Sequence, residues 1–180
     1  MALRSTIHKL ELEVSDLDRH YYATHALTLA RHPSETEERM MMRLLAFCLH
    51  AGPELEFGRG LSTEDEPALW QRDPTGAIEC WIEVGLPDEK LVRRALGRAR
   101  RVQVLAYGER KLGPWWQQNA SAMSGVERLE VITVSDAEAA ALSGLVARSM
   151  KLGCTLQEGH VWLADAERTV EIAPRVLSRS

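Results

Sequence analysis

A short segment of the chain places two carboxylates among residues that are typical of a buried strand. In AIECWIEVGLPDEK, residues 77–90, apolar side chains alternate with Glu79, Trp81 and Glu83, and successive side chains of a strand point to opposite faces of its sheet. Glu83 comes last, where the chain turns through Gly85, and ligands gather beyond such strand ends in α/β sheets. Glu79 lies about 13 Å earlier along the strand. We therefore predict that Glu83 is the functional carboxylate and that Glu79 is solvated or ion-paired.

Further acidic residues precede this strand, in EDEP at residues 64–67 and in a helix-like segment before it. Carboxylate oxygens are the ligands that magnesium prefers, and the bound ion commonly keeps several waters. A magnesium ion held at one sheet edge by Glu83 and these acids would polarise a phosphoryl oxygen and activate water. Such a site could support phosphodiester hydrolysis with Mg²⁺ as the cofactor.

A structural role is the alternative interpretation of Glu83. A partly buried carboxylate needs hydrogen-bond donors or an opposite charge. Backbone N–H groups, or one of Arg39, Arg43 and Arg59, could supply them. The residues by themselves leave both interpretations open.

A run of cations without any acid follows the carboxylates, in KLVRRALGRARR at residues 90–101. On a helix its apolar positions face the core, and its basic positions spread over more than half of the circumference. Such a face is commonly only solvated. Beside an acidic metal site it would instead attract a nucleic-acid backbone, and on this hypothesis Arg93, Arg94 and Arg98 contact phosphates.

Local patterns predict the elements that position these side chains. The alternation of apolar and polar residues near the start of the chain predicts a β-hairpin. Ser34 and Glu37 form a capping-box signature, which predicts a helix that ends at Gly52 and Pro53. The predicted hairpin strands cover residues 7–14 and 21–30, and later strands cover residues 55–58, 67–72, 77–84 and 102–107. A helix from Pro87 to about Arg101 joins the last two strands. We predict that this pair is parallel, through a right-handed crossover.

The last third of the chain adds two helices and several strands. The segment GPWWQQNASAM predicts a short helix, and RLEVITV predicts a strand. In SDAEAAALSGLVARSM, Ser135 and Glu138 form a second capping box. In the tail, residues 153–174, apolar and polar residues alternate, and Glu158 and Gly159 are typical of a turn. This pattern predicts one hairpin and a final strand. We interpret residues 1–180 as a single domain.

Four separated blocks, HPSETEERMMMRLLAF, GRGLSTEDEPALW, CWIEVGLPDEK and WWQQN, resemble the YaeQ family of small bacterial proteins over essentially the whole chain. The resemblance implies an α/β fold, mixed α+β, with a variant of the PD-(D/E)xK nuclease core in the order αβββαβ and extra β-hairpins at both termini. This order agrees with the one predicted above from the residue patterns.

The resemblance also implies site residues. The acid at the head of the second core strand falls on Asp65 or Glu66, with Asp65 preferred, and the acid of the (D/E)xK piece falls on Glu83. An accessory helix acid falls among residues 35, 37 and 38, all glutamates, of which Glu38 is selected because Glu37 already has a capping role. Asp65 and Glu83 are thus the implied ligands of Mg²⁺.

Gly85 departs from the superfamily pattern, since a lysine usually stands at this position to offset developing phosphoryl charge. Lys90, early in the next helix, is the candidate replacement cation. Our first hypothesis is a metal-dependent, nuclease-like protein that uses Glu38, Asp65, Glu83 and Lys90. The second is a non-catalytic module that binds nucleic acid or regulates on the same fold. A transcription-related role, also suggested for the family, ranks below both.

Composition limits the classes of protein that the chain can belong to. With 180 residues, a net charge of −4 and a pI of about 5.9, the chain is not basic overall, so any nucleic-acid contact must come from a local patch. Three cysteines without metal-ligand spacing argue against a zinc site or a disulfide framework and predict reduced core residues. No segment resembles a signal peptide or a membrane span, so we expect a cytoplasmic protein without membrane contact. The oligomeric state is not predicted.

Overall fold

Eleven strands and four helices make up residues 4–59 and 65–178, the part of the chain that the computed structural model describes. The helices are α1 (Glu37–His50), α2 (Glu89–Arg98), α3 (Glu109–Met123) and α4 (Asp136–Ser143). The first six strands are β1 (Thr6–Asp16), β2 (Tyr21–Arg31), β3 (Leu55–Phe57), β4 (Leu69–Arg72), β5 (Ile78–Val84) and β6 (Ala99–Ala106). The remaining strands are β7 (Leu129–Thr133), β8 (Ser149–Gln157), β9 (His160–Ala164), β10 (Thr169–Ile172) and β11 (Arg175–Ser178).

The strands form two mixed sheets. One has five strands in the order β10-β9-β8-β1-β2, and the other has six in the order β11-β7-β6-β5-β4-β3. The predicted hairpins β1–β2 and β8–β9 are confirmed as antiparallel pairs. A parallel pairing of β1 with β8, in which Lys9 lies opposite Ser149, joins the two hairpins into one sheet. No local pattern signals a pairing between such distant segments.

Helix α1 lies between the two sheets. It contacts β2 of the five-stranded sheet and β4 and β5 of the six-stranded sheet. Every residue from Met40 to Cys48 is buried, including Arg43. A helix that is apolar on nearly all sides belongs in the interior of a protein, and this one forms the core that the two sheets share.

The order α1-β3-β4-β5-α2-β6 confirms the predicted helix–three-strand–helix–strand arrangement. Strand β6 runs parallel to β5, with Ile82 opposite Gln103, as predicted. On the face of this sheet that lies away from α1, α2 and α3 cover a second core, which contains Trp81, Val92 and Trp115. The two helices therefore close the side of the sheet toward which Glu83 points.

The beginning of α1 differs from the prediction. Its N-cap is Thr36, whose hydroxyl accepts a 3.1 Å hydrogen bond from the backbone N–H of Arg39. Ser34 instead bonds to the His32 ring. The capping box predicted at Ser34 and Glu37 was wrong, because Thr36 is itself a good N-cap and the helix begins two residues later than expected.

The other three helices also have boundaries that differ from the predictions. Helix α2 begins after its N-cap Asp88 and not at Pro87, and it ends at Arg98 because β6 begins at the next residue. Helix α3 is longer than predicted. Helix α4 has the predicted capping box of Ser135 and Glu138, but it ends at Ser143. All three cysteines are buried and unbridged, as predicted.

Candidate functional site

Glu83 is the penultimate residue of β5. It lies at the C-terminal end of this strand, where the chain turns toward α2. Gly85 makes this turn with φ of +112°, and its N–H donates a 2.9 Å hydrogen bond to the carbonyl of Leu105 in β6. The left-handed backbone that this φ requires favours glycine. The carboxyl of Glu83 is consequently held beside the C-terminal ends of two parallel strands, where α/β sheets commonly bind ligands.

The carboxyl of Glu83 is almost wholly buried, with 9% of the residue exposed. Its Oε1 accepts a 2.8 Å hydrogen bond from Nε1 of Trp81, which lies on the same face of β5. Burial raises the pKa of Glu83 above its ordinary value, although the Trp81 bond and the charges of Arg39 and Arg94 oppose the change. The site thus makes the charged carboxylate less favourable than it is in water, and a cation bound there would oppose this effect.

The arginines that could have made Glu83 a structural residue have other partners. Arg39 and Arg43 both pair with Glu35, at 2.5 Å and 2.6 Å. The third candidate, Arg59, pairs with Glu66 at 3.3 Å. No ion pair within 4.0 Å reaches Glu83 among the residues that the structure describes.

Asp65 faces solvent and contacts arginines of α2. Its side chain is 83% exposed, and Oδ1 is 4.0 Å from the guanidinium of Arg94. Its backbone carbonyl accepts a 2.7 Å hydrogen bond from Arg98, whose guanidinium lies 5.0 Å from the centre of a Trp81 ring. The α2 arginines therefore connect the segment of Asp65 to the indole that holds Glu83.

The other predicted acids have different surroundings. Glu66, the alternative to Asp65, accepts a 2.8 Å hydrogen bond from the backbone N–H of Arg59. Glu35 is the buried partner of two arginines. Glu38 is partly buried in the first turn of α1. Burial raises the pKa of Tyr107, just beyond β6, and the charge of Glu38 adds to this change.

These acids do not form a complete metal-binding cluster by themselves. Within residues 4–59 and 65–178, no group of three or more histidine, cysteine, aspartate or glutamate side chains is placed to hold a metal ion. Magnesium, however, is commonly bound through one or two carboxylates, with water and substrate phosphates filling its remaining positions. Asp65 and Glu83 could supply such a partial set.

The basic face of α2 is exposed but partly neutralised. Arg93 pairs with Glu89 one turn earlier. Arg100 forms a 2.8 Å ion pair with Glu79, which agrees with the prediction that Glu79 is either solvated or ion-paired. Lys90 is exposed in the first turn of α2 and forms no ion pair with the described residues. It shares a shallow surface groove with the neighbouring arginines Arg93 and Arg94.

Sequence reasoning missed the indole of Trp81 as the group that holds Glu83. The signal was present, because residues two apart on a strand share a face. The sequence did not show that both side chains are buried. Because buried polar groups are hydrogen-bonded, the indole N–H of Trp81 becomes the partner of the Glu83 carboxyl. None of the helices in the described part of the chain has the length and apolar surface needed to cross a membrane.

Comparison with known proteins shows similarity along the whole chain. A family model described as YaeQ protein matches residues 1–174. The chain is 47% identical over 172 residues to the uncharacterized protein YaeQ of Salmonella typhi, a match that covers 96% of this chain and 95% of that protein. With the uncharacterized protein YaeQ of Escherichia coli (strain K12) the identity is 44% over the same length.

Two solved structures share the fold. The crystal structure of YaeQ protein from Xanthomonas axonopodis pv. citri has a TM-score of 0.93 and 45% identity, with 98% of this chain and 99% of that chain covered. The crystal structure of YaeQ protein from Pseudomonas syringae has a TM-score of 0.92 and 37% identity, with 98% and 97% covered.

Proposed function

We propose that this chain, which belongs to the YaeQ family, is a metal-dependent nuclease-like protein that acts on nucleic-acid phosphodiester bonds. The observation that carries the proposal is the surroundings of Glu83. Three carboxyls are buried in the described part of the chain, and Asp16 and Glu35 each pair with an arginine at about 2.6 Å. Among the described residues, Glu83 has only the Trp81 N–H as a hydrogen-bond partner, so its carboxyl remains available to a cation.

Magnesium is the cation that suits this position. Glu83, at the C-terminal end of β5, would be one ligand of the ion. The exposed carboxylate of Asp65 would turn from Arg94 toward the ion and be the second. Phosphate oxygens of the substrate and water would complete its coordination. The bound ion would supply charge to a phosphoryl oxygen and lower the pKa of a bound water.

Two other residues have roles in this proposal. Glu38, on the first turn of α1, is the accessory carboxylate. It orients the attacking water or accepts a proton from it. Lys90, exposed on the first turn of α2, provides the cation that Gly85 does not. Arg93, Arg94 and Arg98 approach the flanking phosphates, which draws the substrate backbone toward an otherwise acidic protein.

Calorimetric titration with Mg²⁺ and Mn²⁺, in parallel with cleavage assays on single- and double-stranded DNA and RNA, tests the proposal. Glu83→Gln keeps the shape of the side chain but removes its charge, so it should abolish divalent-ion binding and cleavage while the protein stays folded. Glu79→Gln is the matched control on the same strand, and it should change neither quantity. Wild-type protein that binds neither ion at millimolar concentration would refute the metal role.

A non-catalytic nucleic-acid-binding module is the second candidate, and a specific observation favours it. If the resemblance to the PD-(D/E)xK pattern holds, Gly85 stands at the lysine position, and its φ of +112° disfavours any residue with a side chain. A protein without catalysis that kept the basic face would still bind nucleic acid. In that case metal-free protein should bind nucleic acid without cleaving it.

The salt dependence of binding tests this second candidate. Replacing Arg93, Arg94 and Arg98 with alanine should weaken binding across all sequences. It should also reduce the slope of log K against log salt by about one for each phosphate that the variant can no longer neutralise. Alanine at Lys9, Arg148 and Lys151, which belong to the five-stranded sheet or directly precede it, is the matched triple control. Equal effects of the two triple variants would exclude α2 as the binding surface.

A further inference from the structure

A second concave site lies on the opposite face of the six-stranded sheet and toward the opposite ends of its parallel strands. A cavity of about 300 Å³, open to solvent on one side, is bordered there by the end of α1 and the first residues of β6 and β7. His50, Cys80 and Gln103 line it, together with Arg101 and Glu127. Its volume is at the lower end of the range for small-molecule sites. None of these residues belongs to the proposed nuclease site.

A chain of hydrogen bonds fixes the polar groups of this cavity. Oε1 of Glu130 accepts a 2.7 Å hydrogen bond from Nε2 of Gln103, and a carboxylate can only accept, so the amide nitrogen faces Glu130. The amide oxygen of Gln103 therefore faces Nε2 of His50, with which it forms a short hydrogen bond. That ring nitrogen must carry the proton, which leaves Nδ1 of neutral His50 as a hydrogen-bond acceptor.

Some charged side chains that line the cavity are bonded to other protein groups, and others are available to a ligand. Arg128 donates to the carbonyls of Leu96 and Ala99, at 3.1 Å and 2.8 Å, and so caps the end of α2. Arg101 and Glu127 are exposed, and their side chains form no hydrogen bond or ion pair with the residues that the structure describes. The cavity therefore offers one cation, one anion and one neutral acceptor to a ligand.

We propose that this cavity binds a small zwitterion, a molecule that carries both a carboxylate and an ammonium group, such as a free α-amino acid. Arg101 binds the carboxylate, a pairing that its planar guanidinium suits. Glu127 forms an ion pair with the ammonium group, and Nδ1 of His50 accepts a hydrogen bond from it. The apolar walls at Val102 and Leu129 accept the remainder of the molecule.

Size and charge together select this class of ligand. At about 30 Å³ for each water, the cavity has room for roughly ten non-hydrogen atoms, which is the size of an amino acid. An oligophosphate would meet the carboxylates of Glu127 and Glu130, and a simple cation would meet Arg101. A ligand with one charge of each sign satisfies both available groups.

Calorimetric titration of the full chain with each of the twenty L-α-amino acids tests the proposal. At least one should bind with a stoichiometry of one, and its analogues that lack either the ammonium or the carboxylate should bind at least tenfold more weakly. In ¹⁵N spectra of the protein, the ring nitrogens of His50 should shift during the titration. This readout distinguishes the cavity from any other surface.

Arg101→Gln should weaken the binding at least tenfold. Arg100→Gln is the matched control, because Arg100 is the neighbouring residue but pairs with Glu79 outside the cavity. Both positions are exposed, so both variants should stay folded, and thermal unfolding checks that they do. The proposal is overturned if no amino acid binds at concentrations on the order of 10 mM, if monofunctional acids bind as tightly, or if the two variants behave alike.

Discussion

Nε1 of Trp81 donates a 2.8 Å hydrogen bond to Oε1 of Glu83, two residues further along the same strand. Trp81 is fully buried and has the guanidinium of Arg98 over its ring. Its indole therefore cannot easily leave the carboxyl that it holds. Glu83 is fixed in position by a neutral donor, and no ion pair reaches its carboxyl from residues 4–59 and 65–178.

Glu83→Gln should stabilise the metal-free protein at neutral pH. Burial raises the pKa of Glu83 above its ordinary 4.5, so the folded protein holds this proton to higher pH than the unfolded chain does. The stabilisation from that proton is complete below pH 4.5 and is lost as the pH rises through the folded pKa. Glutamine still accepts the Trp81 bond and has no charge to bury.

We expect a gain in stability at pH 7, and for a chain of this length each 1 kcal/mol of gain raises Tm by about 2–4 °C. The difference should disappear at low pH, where Glu83 is protonated. Thermal unfolding of both proteins across the pH range, with a chelator present, provides the measurement. A variant that is less stable at pH 7 would show that Glu83 is a structural anion after all.

Trp81→Phe should raise the pKa of Glu83 further, because it removes the donor that favours the charged carboxyl. The pKa can be followed through the ¹³C shift of the carboxyl during a pH titration. Trp70→Phe is the matched control, since Trp70 meets Trp81 edge to face at 6.2 Å and loses the same volume. Both variants should lose stability, but only Trp81→Phe should move the titration of Glu83.

Gly85→Ala should destabilise the fold by about 1–3 kcal/mol, the cost of a side chain on strained backbone. No atom lies within 4 Å of the added Cβ, so the cost comes from the φ of +112° alone. Gly97→Ala in α2 is the control, because it also meets no atom within 4 Å but has helical backbone. It should stabilise by up to about 1 kcal/mol. Chemical denaturation that ranks the two variants in the opposite order would contradict this explanation.

Glu35→Gln should destabilise the protein by about 3–5 kcal/mol, because it leaves buried Arg43 without its counterion. The two side chains are 2% and 3% exposed and their charged atoms are 2.6 Å apart. Glu38→Gln, three residues later and partly exposed, should change the stability by less than about 0.5 kcal/mol. Denaturant unfolding of the two variants makes the comparison, and similar losses would argue against a special role for the buried pair.

Much of the fold could be predicted from the sequence, because its signals are local. Alternation predicted the two hairpins, and the apolar run after α2 predicted the parallel pair β5–β6. The pairing of β1 with β8 could not be predicted, since it depends on which sheet edges meet after folding. The start of α1 was misplaced because Ser34 and Thr36 are both good N-cap residues, and tertiary packing decided between them.

The candidate site was only partly predictable. The position of Glu83 at a strand end followed from the alternation and from Gly85. The surroundings of the carboxyl depend on side chains from other elements, and three arginines that could have paired with it have partners of their own. The cavity beside His50 was not predicted at all, because Gln103 and Glu130 become neighbours only when β6 and β7 pair.

The parallel pairing of β1 with β8 also affects how the chain is made. Lys9 leaves the ribosome about 140 residues before its partner Ser149, an interval on the order of ten seconds at usual rates of synthesis. During that interval the N-terminal hairpin has an open edge along β1, and Leu10, Leu12 and Val14, which are buried in the finished protein, have no complete core to cover them. Open strand edges pair readily with other chains. A nascent chain released before β8 has been made is therefore the form of this protein that most needs a chaperone.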